Sequence, residues 1–213
     1  MLLDEKKEEL VRREWEAFGQ VQNEGGRAGC QDDKETFFRM RRSQFAPWTG
    51  LLTDSYLRDM QMAEFTGRNL VSEKYAWMMK RTAPERFREL RHLLPEVSRQ
   101  AEDLIDQIVG VQLGWMEAYQ KQYPNLALRG RMLSSEEDTS VDTSFETYLW
   151  GELHTYSEET LLLYGDFVKG LEEEGKNLWI LVMEATAGAY GYQSLKEAEK
   201  QMKKGAEETS QGL

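Results

Sequence analysis

The residue types best suited to chemistry in this chain are concentrated in one glycine-rich loop, NEGGRAGCQDD, at positions 23–33. An arginine can clamp a carboxylate or phosphate through paired N–H donors. A cysteine can act as a nucleophile, and an aspartate can act as a base or a metal ligand. On this hypothesis the catalytic groups are Cys30, Asp32 and Asp33. The ligand-binding groups of the same loop are Glu24, Arg27 and Gln31.

The same loop also has a purely structural interpretation. Arg27 would pair with a nearby aspartate, Asp32 would cap the helix that follows, and Cys30 would be buried as a small hydrophobic residue. No histidine lies near Cys30 in the sequence, which weighs against a nucleophilic cysteine. Both interpretations of the loop stay open at this point.

A second polar loop, RGRMLSSEEDTSVDTS, spans positions 129–144. Arg131, Asp138 and Asp142 are its candidate ligand-binding residues. If the chain consists of two related halves, this loop faces the first one across a twofold axis. Two polar loops that meet there would form a cleft for a small polar ligand. The alternative is a flexible acidic loop whose serines and threonines cap helices.

A third candidate segment is YLWGELHTYS at positions 148–157. On a helix, Tyr148 and Glu152 share a face, whereas His154 lies elsewhere, near Trp150. Glu152 and His154 can form an acid and base pair, and both are predicted to bind the ligand. The alternative is that His154 is a polar residue at a helix end.

The sequence contains no convincing metal or cofactor motif. The only histidines, His92 and His154, are far apart, and no HExxH, P-loop or GxGxxG pattern is present. One cysteine excludes an intrachain disulfide and a cysteine-rich zinc site. We therefore predict no metal site and leave any cofactor unknown.

The composition is that of an acidic globular protein. The chain has 213 residues, of which 40% are hydrophobic and 31% charged, and its formal net charge is -11. So negative a surface repels phosphate backbones, which argues against nucleic-acid binding. The N-terminus lacks the apolar segment of a signal peptide, and no uncharged stretch approaches a membrane span. We expect a cytoplasmic protein that binds neither nucleic acid nor membrane.

Apolar residues recur at three-to-four spacing almost everywhere, which predicts an all-α fold. Residues 101–123 carry two adjacent stripes, one through Ile108 and Trp115 and the other through Ile105 and Val109. Stripes of that combined width predict a helix buried on more than one side. The predicted fold is a multi-helix bundle.

An internal repeat divides this bundle. GRNL at 67–70 recurs as GKNL at 175–178, and the same offset aligns 36–70 with 144–178 at six identities without a gap. EWEAFGQ at 14–20 also resembles GWMEAYQ at 114–120. We predict two related helical halves, 1–97 and 98–200, arranged as a pseudo-twofold duplication in one compact unit. A frayed tail, 201–213, would follow.

The repeated corner has a predicted structural role. Each glycine ends one helix in a left-handed conformation. Asn69 and Asn177 then cap the next helix, and the leucines that follow enter the core.

Four stretches together carry a family resemblance: NEGGRAGCQDDKETFFRMRRSQF (23–45), GRNLVSEKYAWMM (67–79), TAPERF (82–87) and DTSFETYLWGELHTYS (142–157). The chain resembles the bacterial family named domain of unknown function 4125, over roughly Leu10 to Glu199. The resemblance implies a bacterial intracellular protein, sometimes encoded beside or fused to a nucleotidyltransferase-like domain. It implies no catalytic residue.

Two functions follow as hypotheses. The first is a small-polar-molecule-binding protein or enzyme with its site between the two halves, lined by 24–33 and 131–144. The second is an accessory or protein-interaction module, a partner of a nucleotidyltransferase-like enzyme. A concave polar pocket favours the first hypothesis, and a large exposed apolar patch favours the second.

Overall fold

The computed structural model describes residues 2–22, 26–139 and 142–211, with side chains described up to Lys204. These residues form an all-α fold, as the periodicity predicts. The eleven α-helices in them are α1 (Leu3–Gly19), α2 (Lys34–Phe45), α3 (Gly50–Phe65), α4 (Leu70–Thr82), α5 (Pro84–Leu90), α6 (Arg99–Gln122), α7 (Pro124–Ala127), α8 (Phe145–Leu153), α9 (Glu158–Glu173), α10 (Leu178–Ala189) and α11 (Leu195–Gln211).

The described ranges contain three short 3₁₀ helices, Gly29–Gln31, Arg91–Leu93 and Ser135–Glu137, and no β-strand. None of the helices in these ranges combines the length and the apolar character that a membrane crossing requires.

The long helix α6 is buried on several sides, as its two apolar stripes predict. It packs against α8, α9 and α10. Ile105, Ile108 and Val109 are each at most 5% exposed, so both stripes reach the core. Burial of this wide apolar surface is the main force that holds α6 in place.

Both repeated corners have the predicted structure. Gly67 and Gly175 adopt φ of +72° and +65°, a left-handed conformation that favours glycine. Asn69 accepts a hydrogen bond from the Ser72 N–H, and Asn177 accepts from the Trp179 and Ile180 N–H groups. Each asparagine therefore caps the helix after it.

The two asparagines also make matching long-range bonds. Asn69 Nδ2 donates to the Ala17 carbonyl of α1 at 2.8 Å, and Asn177 Nδ2 donates to the Trp115 carbonyl of α6 at 2.8 Å. One amide side chain thus caps a helix and ties that corner to an earlier helix.

The contacts between helices are also similar in the two predicted halves. α1 packs against α2, α3 and α4, and α6 packs against α8, α9 and α10. Contacts between the two sets are reciprocal, because α2 packs against α10, α4 packs against α8, and α3 packs against α9. This arrangement is the one expected of two helical units around a twofold axis. The duplication itself stays a prediction.

Four aromatic rings, defined here as the central aromatic group, occupy the middle of this arrangement: Trp48, Tyr56, Tyr156 and Tyr164. The centroids of Trp48 and Tyr56 are 5.6 Å apart, and those of Tyr156 and Tyr164 are 5.8 Å apart. Tyr56 also lies 5.0 Å from Tyr156, and Trp48 lies 5.8 Å from Tyr164. Rings from residues 1–97 and from 98–200 therefore pack in one cluster.

Helices α4 and α8 approach each other most closely at Gly151. A Cβ atom added at Gly151 would lie 2.6 Å from Met78 Cγ and 3.0 Å from the Lys74 carbonyl oxygen. The absence of a side chain at this position lets the backbones meet, which brings Lys74 of α4 near the charged residues of α8.

We predict that Gly151→Ala lowers the free energy of unfolding by about 1–3 kcal/mol, because the methyl group overpacks this contact. The matched control is Gly114→Ala in α6, where an added Cβ meets no atom within 4 Å. That variant should be stabilised by about 0.5–1 kcal/mol, since alanine favours the helix. Urea unfolding of both variants measures the difference, and equal stability would contradict the close approach of α4 and α8.

Candidate functional site

Four charged side chains from four helices meet in the interior and are called here the buried charge cluster: Glu14, Arg41, Lys74 and Glu152. All four are at least nine-tenths buried. Arg41 donates two hydrogen bonds to Glu14, and its Nη2 lies 3.4 Å from Glu152 Oε1. Lys74 Nζ lies 3.5 Å from Glu152 Oε2. Two positive and two negative charges therefore balance, as buried charges require.

Neutral polar side chains complete the shell around the cluster. The Tyr56 hydroxyl donates to Glu14 at 2.9 Å, and Lys74 donates to the Tyr148 hydroxyl at 2.7 Å. Gln44 and the Tyr156 hydroxyl donate to Glu152 Oε1 at 3.2 and 3.4 Å. Glu152 Oε2 has no hydrogen-bond partner among the described residues.

The pKa shifts of Arg41, Lys74 and Glu152 each favour the charged form. Burial alone would raise the pKa of Glu152, but Arg41 and Lys74 outweigh it and hold this pKa below its ordinary value. Burial lowers the pKa of Lys74. Its interactions with Tyr148 and Glu152 raise this pKa by a larger amount, so the net shift is upward. Lys74 therefore stays an ammonium at neutral pH and is not an amine nucleophile.

His154 lies directly after α8, at the helix end that one interpretation of the sequence predicts. Its ring centroid lies 3.7 Å from that of Trp150 and 4.6 Å from that of Trp77. Nδ1 lies 2.7 Å from the Trp150 carbonyl oxygen, an acceptor that fixes the proton on Nδ1. Nε2 then carries a lone pair, and it has no partner among the described residues.

Burial is the main cause of a pKa of about 4 for His154. The Trp150 carbonyl acts in the opposite direction, and the positive charges of Lys80, Arg81 and Arg91 lower the pKa further. The imidazole is therefore neutral at pH 7, and it can accept a hydrogen bond at Nε2.

A cavity of about 230 Å³ opens beside His154 and is called here the His154 cavity. Its walls come from α3, the α3–α4 corner, and the starts of α6 and α9, represented by Met62, Arg68, Ser98 and Glu158. Tyr156 also lines it. Because the Tyr156 hydroxyl reaches Glu152, the cavity adjoins the buried charge cluster.

The charged residues of the cavity wall are mostly acidic. Asp59 accepts the Ser157 N–H at 3.0 Å and leaves a second carboxylate oxygen. Glu158 is exposed and makes no ion pair with any described residue. Arg68 donates two hydrogen bonds to Glu73, at 2.8 and 2.6 Å, so its charge is already balanced.

The described residues hold no group of three or more histidine, cysteine, aspartate or glutamate side chains placed to bind a metal ion. The carboxylates of the His154 cavity are therefore not part of such a group.

The first loop is held by its own polar groups. Arg27 donates to Asp32 at 2.8 Å and to the carbonyls of Gly19 and Gln31. Gln31 is fully buried and donates to the carbonyls of Phe18 and Val21. The pairing of Arg27 with an aspartate, expected from the structural interpretation, is confirmed.

Two details of that structural interpretation are wrong. Cys30 is exposed rather than buried. Asp33, not Asp32, caps α2, because Asp33 accepts the Thr36 N–H at 3.0 Å while Asp32 is drawn to Arg27. Glu24 lies outside the described residues. Catalytic roles for Cys30, Asp32 and Asp33 stay predictions.

The second loop is likewise tied internally. Asp138 accepts hydrogen bonds from the Ser144 N–H and the Thr147 hydroxyl, both at 2.6 Å. Arg131 donates to the Thr143 carbonyl at 2.9 Å, and its guanidinium lies 4.4 Å from the centre of the Tyr148 ring. Asp142 is exposed, and its N–H donates to the Thr139 hydroxyl.

Both loops approach Tyr75. Burial raises the pKa of Tyr75 and Lys74 lowers it, and interactions with Tyr148, Cys30 and Arg131 also shift this pKa. One residue from each loop is thus near one side chain of α4. Glu152 and His154 lie deeper, in the charge cluster and beside the cavity.

Sequence reasoning missed Glu14, Arg41 and Lys74 as members of a site. One signal was available, because Glu14 falls between Val11 and Phe18 on the apolar stripe of α1. A carboxylate on such a stripe must find a partner on another helix. The cavity residues Asp59 and Glu158 carry no comparable signal.

We predict that Glu152→Gln lowers the free energy of unfolding by about 3–5 kcal/mol, because it leaves Arg41 and Lys74 with an excess of buried positive charge. The control is Glu159→Gln, which removes an exposed pair with Arg58 and should cost about 0–1 kcal/mol. Chemical denaturation of both variants tests this. Similar losses in the two variants would show that the buried cluster is not a balanced unit.

We predict a pH-dependent stability contribution from His154. Its folded-state pKa, about 4, lies below its ordinary value of 6.5. This contribution is complete above pH 6.5 and is lost as the pH falls toward 4, because only the unfolded chain takes up the proton readily. The loss amounts to about 3.5 kcal/mol at roughly 1.4 kcal/mol per pKa unit.

His154→Phe keeps an aromatic ring and should remove the decrease in the free energy of unfolding between pH 6.5 and 5. Most carboxylates titrate below this range, so they contribute little to the decrease. His92→Gln, at the only other histidine and an exposed one, should retain it. A slope that survives in His154→Phe would contradict the assignment.

Comparisons with known proteins place the chain in a family but not in a functional class. Neither the search of curated proteins nor the search of solved structures found a match. A family described as "Protein of unknown function (DUF4125)" matches residues 5–200. This match covers most of the chain and agrees with the resemblance in its sequence motifs. The chain belongs to the DUF4125 family.

Proposed function

We propose that this protein binds a small polar molecule in the His154 cavity. The observation that carries the proposal is the unpartnered Nε2 of a histidine that is 5% exposed and lines this cavity. Buried polar atoms in folded proteins nearly always have a partner. A ligand in the cavity can supply the missing hydrogen-bond donor.

The dimensions of the cavity limit the ligand. Its volume of about 230 Å³ is below the roughly 300–1,000 Å³ of pockets for drug-sized molecules. A compact metabolite with a few polar groups fits this space better than a nucleotide or a peptide.

The location agrees with a ligand site between the two predicted halves. The α3–α4 corner belongs to residues 1–97, whereas the start of α9 belongs to 98–200. The two polar loops are less suited to the role, because Arg27, Gln31 and Asp138 would have to give up bonds within their own loops.

We propose binding rather than catalysis as the role of the cavity. A general base works best when its pKa is near the working pH, and the pKa of His154 is about 4. The raised pKa of Lys74 likewise rules out this buried amine as a nucleophile.

The test is a thermal-shift and NMR screen of the purified protein against small amines, amino acids, sugars and carboxylates. We expect at least one compound to bind in a saturable way. Met62→Trp should weaken that binding at least tenfold, because the indole covers the cavity rim, where Met62 is 59% exposed.

The matched control is Leu51→Trp. Leu51 is also an exposed residue of α3, three turns and about 16 Å from Met62 on the same helix face. This variant should bind like the wild type. The proposal is wrong if no compound binds, or if both tryptophan variants bind equally well.

An accessory or protein-interaction role is the second candidate. Phe65 is 87% exposed, and it lies on the same face of α3 as Met62, which is also exposed. A protein partner, such as the nucleotidyltransferase-like enzyme implied by the family resemblance, could cover these side chains. The two candidate functions differ in whether they need Phe65. A protein partner would need this side chain, whereas a small ligand in the cavity would not.

A further inference from the structure

We infer that the ligand of the His154 cavity is a small primary amine with a second hydrogen-bonding group, its ammonium held between Asp59 and Glu158. The inference rests on the proposed function, because it names the chemical class that the same cavity would accept.

The charges at the cavity wall favour a cation. Glu158 has no ion pair with a described residue, and Asp59 keeps one carboxylate oxygen beyond its bond to the Ser157 N–H. Glu96 also lines the cavity, but Arg91 offsets its charge at 2.9 Å. Two acidic residues therefore line the cavity without a full counter-charge, which favours an ammonium over a neutral group.

The groups that would attract an anion are already engaged. Arg68 is bound by both oxygens of Glu73, and its charge also interacts with Asp59. At the helix starts, Ser98 Oγ accepts the Ala101 N–H and Ser157 Oγ accepts the Thr160 N–H. A carboxylate or phosphate ligand would have to displace these contacts.

His154 favours a hydroxyl or a second N–H at the other end of the ligand. Its Nε2 lacks a donor, and the adjacent Trp77 ring has an indole N–H that lacks an acceptor. A hydroxyl or an N–H of the ligand can donate the hydrogen bond that His154 Nε2 lacks. Of the three cations near His154, Arg81 is paired with Glu146 and Arg91 with Glu96, which reduces their repulsion of the ligand. Lys80 makes no ion pair with a described residue and lies over the Trp150 ring.

A metal ion is a poorer occupant than an amine. The carboxylates of the wall do not form a group of metal-ligating side chains within the part of the chain that the structure describes. An ammonium tolerates such separated acceptors, because it carries three N–H donors that point in different directions.

The experiment compares three probes that differ in one group: 4-aminobutan-1-ol, butane-1,4-diol and 4-hydroxybutanoate. We expect NMR titration of the full chain to show saturable binding of the amine only, and Met62→Trp to abolish it. Glu158→Gln should weaken amine binding about tenfold. Glu159→Gln, which changes the next residue and does not touch the cavity, should bind like the wild type.

The outcomes separate this inference from the proposed function. If the diol or the hydroxybutanoate binds as well as the amine and Met62→Trp abolishes that binding, the cavity is a ligand site but the amine class is wrong. Equal effects of Glu158→Gln and Glu159→Gln, or no binding of the amine, also overturn the inference. Failure of the wider screen overturns the proposed function itself.

Discussion

The arrangement of this protein depends on the pairing of buried charges between Arg41, Glu14 and Glu152, with Lys74 beside them. Each charge comes from a different helix, so the cluster as a whole is balanced only if α1, α2, α4 and α8 meet at one point. An unpaired charge in the interior is far more costly than a lost apolar contact. The cluster therefore adds a directional requirement to the non-directional burial of the surrounding apolar residues.

The His154 cavity is connected to the buried charge cluster through Glu152 and Tyr156, two residues of one segment. Glu152 accepts the Tyr156 hydroxyl, and Tyr156 in turn forms part of the wall of the His154 cavity. His154, between these two residues, is held by the Trp150 carbonyl and by the rings of Trp77 and Trp150. The imidazole of His154 is thus held in one orientation by a hydrogen bond and by contacts with two aromatic rings.

The two sets of helices make a matching contact with a tyrosine, but the residue that makes it is charged in only one set. Glu14 of α1 accepts the Tyr56 hydroxyl, while Gln112 of α6 donates to the Tyr164 hydroxyl at 3.1 Å. A charged residue in one set of helices corresponds to a neutral amide in the other. Both sets of helices have such a helix-to-tyrosine contact, but only the contact of α1 involves a charge of the buried cluster.

The sequence alone determined the features that depend on neighbours a few residues away. Helical periodicity, the left-handed glycines at 67 and 175, the asparagine caps and the position of His154 near Trp150 all follow from local spacing. Only the tertiary structure decided that Asp33 rather than Asp32 is the cap, since that choice depends on where Arg27 lies. It also decided that Glu14, Arg41, Lys74 and Glu152 form one cluster, and that Asp59 and Glu158 line one cavity. Their meeting depends on how distant helices pack, and the energy of a buried charge depends on partners that sequence spacing does not specify.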